Sequence, residues 1–292
     1  MRNPIFRKEM REIARSPKLV WAITILNVAW ALIGVCMLRV YFYSDGERML
    51  VDYSMILNIY YILLCVQLGS MAFILPGMTA GAIAGEIEKQ TLSALLTTPL
   101  GPWRIVVGKL HTIVFNVGLY LISGLPILAI IFFVGGVSLK DLAQYVVYVF
   151  VFGFYMGSIG VCISSLVKNT ILSQMLTYGA FVMVCALNIA VNWLVYMLQL
   201  PSGTILQYGK ILVLGLINPI DSMASMLAQQ MGRDDIYNSV CLLHMNKDSV
   251  WVKHVDSATW FWMSAGVQCI ISIVLMVVST YALCMPSKKK SE

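Results

Sequence analysis

This sequence predicts an all-α polytopic membrane protein with six transmembrane helices, and three observations predict it. The 292-residue chain is 59% hydrophobic and only 12% charged, with a mean hydropathy of +0.81, whereas a soluble domain carries about 25% charged residues. Six apolar runs are each long enough for a hydrocarbon core of roughly 30 Å, which needs about 20 residues. Lys and Arg also collect on alternate connections, the bias that orients membrane helices.

The first expected element is an amphipathic helix over residues 1–18. Asn3 caps it and Pro4 fits its first turn. Phe6, Met10 and Ile13 give it an apolar face, and Arg7, Lys8, Arg11 and Arg15 a basic one, which suits a helix lying on the membrane surface. Ser16-Pro17 ends it. A full-length apolar run follows with no small-residue cleavage site, so a cleavable signal peptide is not expected. The remainder, 19–292, reads as a single six-helix domain with spans near 19–38, 55–75, 110–134, 145–167, 171–198 and 259–285.

With the N-terminus inside, the inner segments hold 13 basic and five acidic residues, and the outer segments seven and nine. Both termini are therefore expected in the cytoplasm. The polar segment 85–109 then faces the cytoplasm and the segment 199–258 is external. The basic tail after Pro286 suits anionic inner-leaflet lipid.

The second span runs into Pro76, followed by Gly77, Gly81 and Gly85 on one helical stripe. The stripe is read as a packing face, with a moving hinge at the proline as the alternative. Gly153 and Gly157 repeat the small-residue spacing on the fourth span, which ends at Lys168-Asn169 and turns at once into the fifth. That tight turn makes the fourth and fifth spans an antiparallel hairpin with a second cytoplasmic tip. Within the external segment, Asn218-Pro219-Ile220-Asp221 is a helix start with cap, N1 proline and first-turn acid. The helix it opens, to about Met231, places Ile220, Met223, Leu227 and Met231 on one side. A re-entrant or interfacial outer lid is expected there.

Several chemistries are excluded or weak. The six runs hold no Asp or Glu, and Arg39 and His111 stand at span ends. Proton- or sodium-driven transporters usually keep such a group inside the bilayer. A secondary transporter or channel nonetheless stays open as the alternative, because backbone carbonyls also bind ions. Should the second and fifth spans line a pathway, Asn58, Gln67, Asn188 and Asn192 are its polar candidates. The asparagine pair equally suits bonds between helices. The nearest approach to a phosphate loop, Gly101 to Gly108-Lys109-Leu110, has Trp103 where glycine is required and Leu110 where a hydroxyl is required. Six of the seven cysteines lie in apolar runs and only Cys241 in a loop, so neither disulfides nor a zinc site is indicated. His244 and His254 near Asp248 and Asp256 read as exposed loop residues. No catalytic residues and no metal site are expected.

That leaves the polar segment. Glu86, Glu88 and Lys89 interrupt the apolar run, and Thr91 to Thr98 suits a short helix whose Leu92, Leu95 and Leu96 form one ridge. Pro99 stops it, Leu100-Gly101-Pro102 turns the chain, and Trp103 and Arg104 anchor it at the interface. Such a ridge suits docking into a groove on a soluble partner; an interfacial loop touching only headgroups fits the residues equally.

The run Glu86-x-Glu-Lys-Gln-Thr-Leu-x-x-Leu-Leu-Thr-Thr-Pro99, with Gly108-Lys109 after it, resembles the permease subunits of type-2 ATP-binding-cassette (ABC) transporters. The Asn3-Pro4-Ile5-Phe6-x-Lys-Glu9 arm and the Asn218-Pro219 helix are similar to that family's as well. The resemblance covers the whole chain and implies a coupling helix at about 86–99, seated on a separate ATPase through Glu86, Glu88, Lys89, Thr91, Leu92, Leu95, Leu96 and Pro99. It further implies an N-terminal connecting helix, and two permeases, as homo- or heterodimer, assembled with two cytoplasmic ATPases in a bacterial cell membrane. ATP and magnesium would be bound by the ATPase and no cofactor by this chain; membrane lipid is a partner and nucleic acid is not. Many members are exporters. Uncharged spans rich in Met and aromatics suit a peptide, lipid or drug as cargo.

Overall fold

The computed structural model describes residues 10–11, 17–44, 53–90, 101–134, 137–199, 215–232 and 257–284. Its elements are α1 (Pro17–Ser44), α2 (Tyr53–Glu88), α3 (Pro102–Val134), α4 (Leu139–Val167), α5 (Thr170–Gln199), α6 (Pro219–Met231) and α7 (Ser257–Cys284). Among the described residues there is no strand. Six helices, all but α6, are long and apolar enough to cross a membrane. The surface helix expected over 1–18 lies mostly outside the described residues. So do 91–100, most of 199–258 (His244 and His254 included) and the tail after 284.

The interior is largely apolar, with Trp30, Leu64, Ile83 and Ile105 at 0–1% exposure, but large apolar side chains also cover the outside: Trp21 on α1 is 65% exposed, Phe73 on α2 76% and Phe133 on α3 85%. Small hydroxyls and amides point inward, with Gln67, Ser164, Thr177 and Gln268 all at 0%. Lipid tails solvate leucine as well as a protein core does, so helices in a bilayer associate through small and polar residues. With six apolar helices of spanning length, this identifies an integral membrane protein.

Four helices extend past the apolar runs expected from the sequence. α2 continues through Pro76 to Glu88, so Glu86 and Glu88 belong to its last turn and do not open a separate helix. Proline removes one rung of the ladder, but Leu75, Ala80, Ile83 and Ala84 around it are buried, and that packing carries the helix on. Thirty-six residues make a rod of about 54 Å, longer than the hydrocarbon core of roughly 30 Å. α3 begins at Pro102, which places Trp103 and Arg104 in a helical first turn. α4 begins at Leu139 with a reciprocal capping box between Ser138 and Asp141. α1 runs to Ser44. The added turns are polar, or at least not apolar enough to register as a hydrophobic run.

The chain forms two compact units, residues 1–174 with 275–292, and residues 175–274. In the first, α2 packs chiefly on α4, and α4 on α3. A Cβ added at Gly153 of α4 would stand 2.8 Å from Val117 Cγ2, and one at Gly157 would stand 3.1 Å from Ile113 Cγ2 and Leu110 Cδ1. These two glycines let α3 and α4 approach closely, as the small-residue spacing predicts. Across α1 and α2, the Trp30 indole N–H donates to the Leu63 carbonyl at 2.8 Å.

In the second unit, α6 is capped by Asn218, whose Oδ1 accepts from the Ile220 N–H at 3.0 Å. Gly232, at φ 60°, closes its C-terminus. The buried residues of α6 include Asp221, Ser222, Ala224, Ser225, Met226, Leu227 and Ala228, while Ile220, Met223 and Met231 are half-exposed. Of the apolar side expected from the sequence, only Leu227 turns inward. The inward hydroxyls have partners: Gln268 Nε2 of α7 donates to Ser222 Oγ at 2.7 Å and to Ser264 Oγ at 3.2 Å.

Gly153→Ala is expected to destabilise the protein by about 1–3 kcal/mol through overpacking against Val117. Gly69→Ala, whose added Cβ meets nothing within 4 Å, serves as the neutral comparison. Thermal unfolding in detergent reads the difference, and equal stability of the two variants would contradict the close α3–α4 approach.

Candidate functional site

Among the described residues, several polar contacts gather at the end of α2. The sequence there changes from Ala80-Gly81-Ala82-Ile83-Ala84-Gly85, whose side chains offer no polar group, to Glu86-Ile87-Glu88-Lys89-Gln90. The two glutamates are two residues apart, so a helix turns them to different sides.

Glu86 faces α3. The Lys109 ammonium donates to its Oε1 at 2.8 Å, and the side chains of Lys109 and Glu86 are only 8% and 14% exposed. A buried ion pair of this kind gains little over a well-packed apolar pair, but removal of one partner leaves a charge stranded in a poor solvent. The pair therefore fixes α2 against the start of α3 without being a large net source of stability.

Glu88 faces the start of α5. Its Oε1 accepts the Thr170 backbone N–H at 2.8 Å and its Oε2 the Thr170 hydroxyl at 2.7 Å. Asn169 caps the same helix, accepting from the Leu172 N–H at 2.9 Å. Here an exposed carboxylate on one helix satisfies an orphan donor at the N-terminus of another.

One turn earlier, the Ser164 hydroxyl of α4 stands within the α2 backbone ladder. It donates to the Ala80 carbonyl at 2.6 Å and accepts from the N–H groups of Ile83 at 3.1 Å and Ala84 at 2.9 Å. Gly81 and Gly85 border this region, and a Cβ added at either would meet Thr170 at 3.6 and 3.7 Å. Those are ordinary contacts, looser than at Gly153.

Two non-glycine residues among those described have left-handed backbone, Gln90 at φ 57° and Lys168 at φ 58°. One ends α2 and the other ends α4. Such residues cost of order 1–3 kcal/mol each and persist where the surroundings over-determine them. Lys89, Gln90, Lys168 and Asn169 are all exposed.

The other candidate residues are less concentrated. Thr91, Leu92, Leu95, Leu96 and Pro99 lie outside the described residues, as do the side chains of Asn188 and Asn192. Asn58 is exposed, whereas Gln67 is fully buried and accepts the Tyr145 hydroxyl at 2.6 Å. Nine residues of helix separate the two, which places them on opposite sides of α2. A small pocket is lined by Ile23, Met71, Met78, Asn116 and Tyr120 among others. Among the described residues, no group of three His, Cys, Asp or Glu is placed to hold a metal ion. Ser164 and Thr170 carried no sequence signal as site residues, since hydroxyls in or beside an apolar run are ordinary and neither sits in a motif.

The family model described as ABC-2 family transporter protein matches residues 3–285. No curated protein matches the chain.

Lys109→Met is expected to destabilise the fold, by up to about 3 kcal/mol, by taking the Lys109 ammonium from the half-buried Glu86 carboxylate. Adding Glu86→Leu is expected to recover most of that loss. Thermal unfolding of the two variants in detergent measures this, and a double variant no more stable than the single one would contradict a paired, buried contact.

Proposed function

This chain belongs to the ABC-2 family of transporter proteins, and from that premise we propose that it is a permease subunit through which ATP hydrolysis in a separate ATPase drives export. As a member of that family it is a membrane component of a transporter and not itself a catalyst. The observation that supports the coupling is the anchored end of α2. Glu86 and Glu88 secure it to α3 and α5, and the chain then leaves directly into the polar stretch carrying Leu92, Leu95 and Leu96.

In this reading residues 86–99 face the cytoplasm, where the basic excess places them, and the leucine ridge seats in a groove of the ATPase. Two permeases assemble with two ATPases, which bind ATP and magnesium. Closure of the ATPases draws the coupling segments together, and the spans rock between inward- and outward-facing arrangements. Asn58, Asn188 and Asn192 are the proposed polar wall of the pathway, with Gln67 held by Tyr145 in the packing between helices. Nothing in this cycle requires an acid or base within the spans, in keeping with runs that contain no Asp or Glu. The driving force enters by contact.

Replacing Leu92, Leu95 and Leu96 with Asp is expected to lower recovery of the ATPase in co-purification by about tenfold or more, the scale of a lost hot spot. Unchanged recovery, with unchanged ATP-dependent transport, would overturn the docking assignment.

A further inference from the structure

The turn at 168–169 is fastened to α2 from both sides. Ser164, four residues before the left-handed Lys168, holds the α2 backbone at Ala80, Ile83 and Ala84. Thr170, immediately after Asn169, is held through both its N–H and its hydroxyl by Glu88. All these groups lie within the first compact unit.

The two ties differ in kind. Ser164 is fully buried. Its hydroxyl bonds both the Ala80 carbonyl and the Ala84 N–H, which in a regular helix bond each other. A hydroxyl that shares both ends of a rung competes with it, and such a rung is where a loaded helix bends first. The Glu88 tie is exposed and lies beyond that rung. A helix pushed at its far end would bend at the shared rung unless something braces the far end. Glu88 is placed to act as that brace.

We propose that Ser164 and Glu88 are positioning residues that lock the last turns of α2 to the 168–169 turn, so that force entering at Lys89 moves the α4–α5 turn as well as α2. This rests on the ATP-coupled reading above. In that cycle the proposal gives the α4–α5 turn its motion without requiring its own contact with the ATPase.

The test uses the full chain in lipid nanodiscs, with its seven native cysteines replaced. Spin labels are attached at Lys89→Cys and Lys168→Cys. The chain otherwise unaltered is expected to give one narrow distance between the labels. Ser164→Ala with Thr170→Val is expected to broaden or shift it. Glu88→Gln, which alters only an exposed side chain, is expected to broaden it less, and Thr170→Ser, which keeps the hydroxyl, to leave it narrow. An unchanged distribution in both Ser164→Ala with Thr170→Val and Glu88→Gln would overturn the proposal. In the complex with the ATPase, trapping with ATP and vanadate is expected to preserve the distance when Ser164 and Glu88 are intact and to change it in Ser164→Ala with Thr170→Val. A distance that changes on trapping with both ties intact would overturn the proposal, because a purely structural role allows that change and a brace does not. If no ATPase binds the chain, the functional reading fails, and the nucleotide-free distances alone decide whether the ties lock the turn.

Discussion

The Glu86–Lys109 ion pair joins two helices at a place where neither charge has water enough to itself. Buried charges must be paired, so this contact fixes where α2 stands against α3. The neighbouring contacts depend on it. With Glu86 turned toward α3, the helix turns Glu88 toward the start of α5, where it satisfies Thr170. With α2 in that register, Ala80, Ile83 and Ala84 meet Ser164. The end of α2 is thus tied to three neighbouring helices by three side chains.

Away from this end, the fold follows from its solvent. Leucine and isoleucine fill the space between the spans, as Leu63, Leu64, Ile83 and Ile105 do, but in lipid their burial gains little, and glycine, serine and amide groups set where helices meet. Gly153 and Gly157 bring α3 and α4 together. Gln67 with Tyr145 and Gln268 with Ser222 bond across helix pairs. The same logic orients α6, whose hydroxyl face turns in and whose Ile220, Met223 and Met231 turn outward.

The six spans were legible because runs of about 20 apolar residues have few other uses. The α6 cap was legible because Asn218-Pro219 and Asp221 each suit a helix start for their own reason. Helix ends were less so, since the polar turn 139–144 and the glycine-rich stretch 77–88 after Pro76 stay helical through capping and packing that no local pattern announces. The inward faces were least legible. A span apolar on all sides carries no moment to show which residue faces a neighbour, so Asn58 and Gln67 looked alike and proved to be one exposed and one enclosed. Gly77-Gly81-Gly85 and Gly153-Gly157 looked alike too, yet Gly153 meets a steric limit and Gly81 and Gly85 do not. Ser164 and Thr170 depend on long-range pairing with residues some eighty positions earlier, and no local pattern encodes that.

In the proposed coupling, driving force enters this chain at the anchored end of α2. Hydrogen–deuterium exchange of the chain in nanodiscs, with and without its ATPase partner, tests it most directly. The account predicts that binding protects backbone amides in peptides covering residues 85–109. Protection confined to other segments, with 85–109 exchanging as in the chain alone, would contradict it.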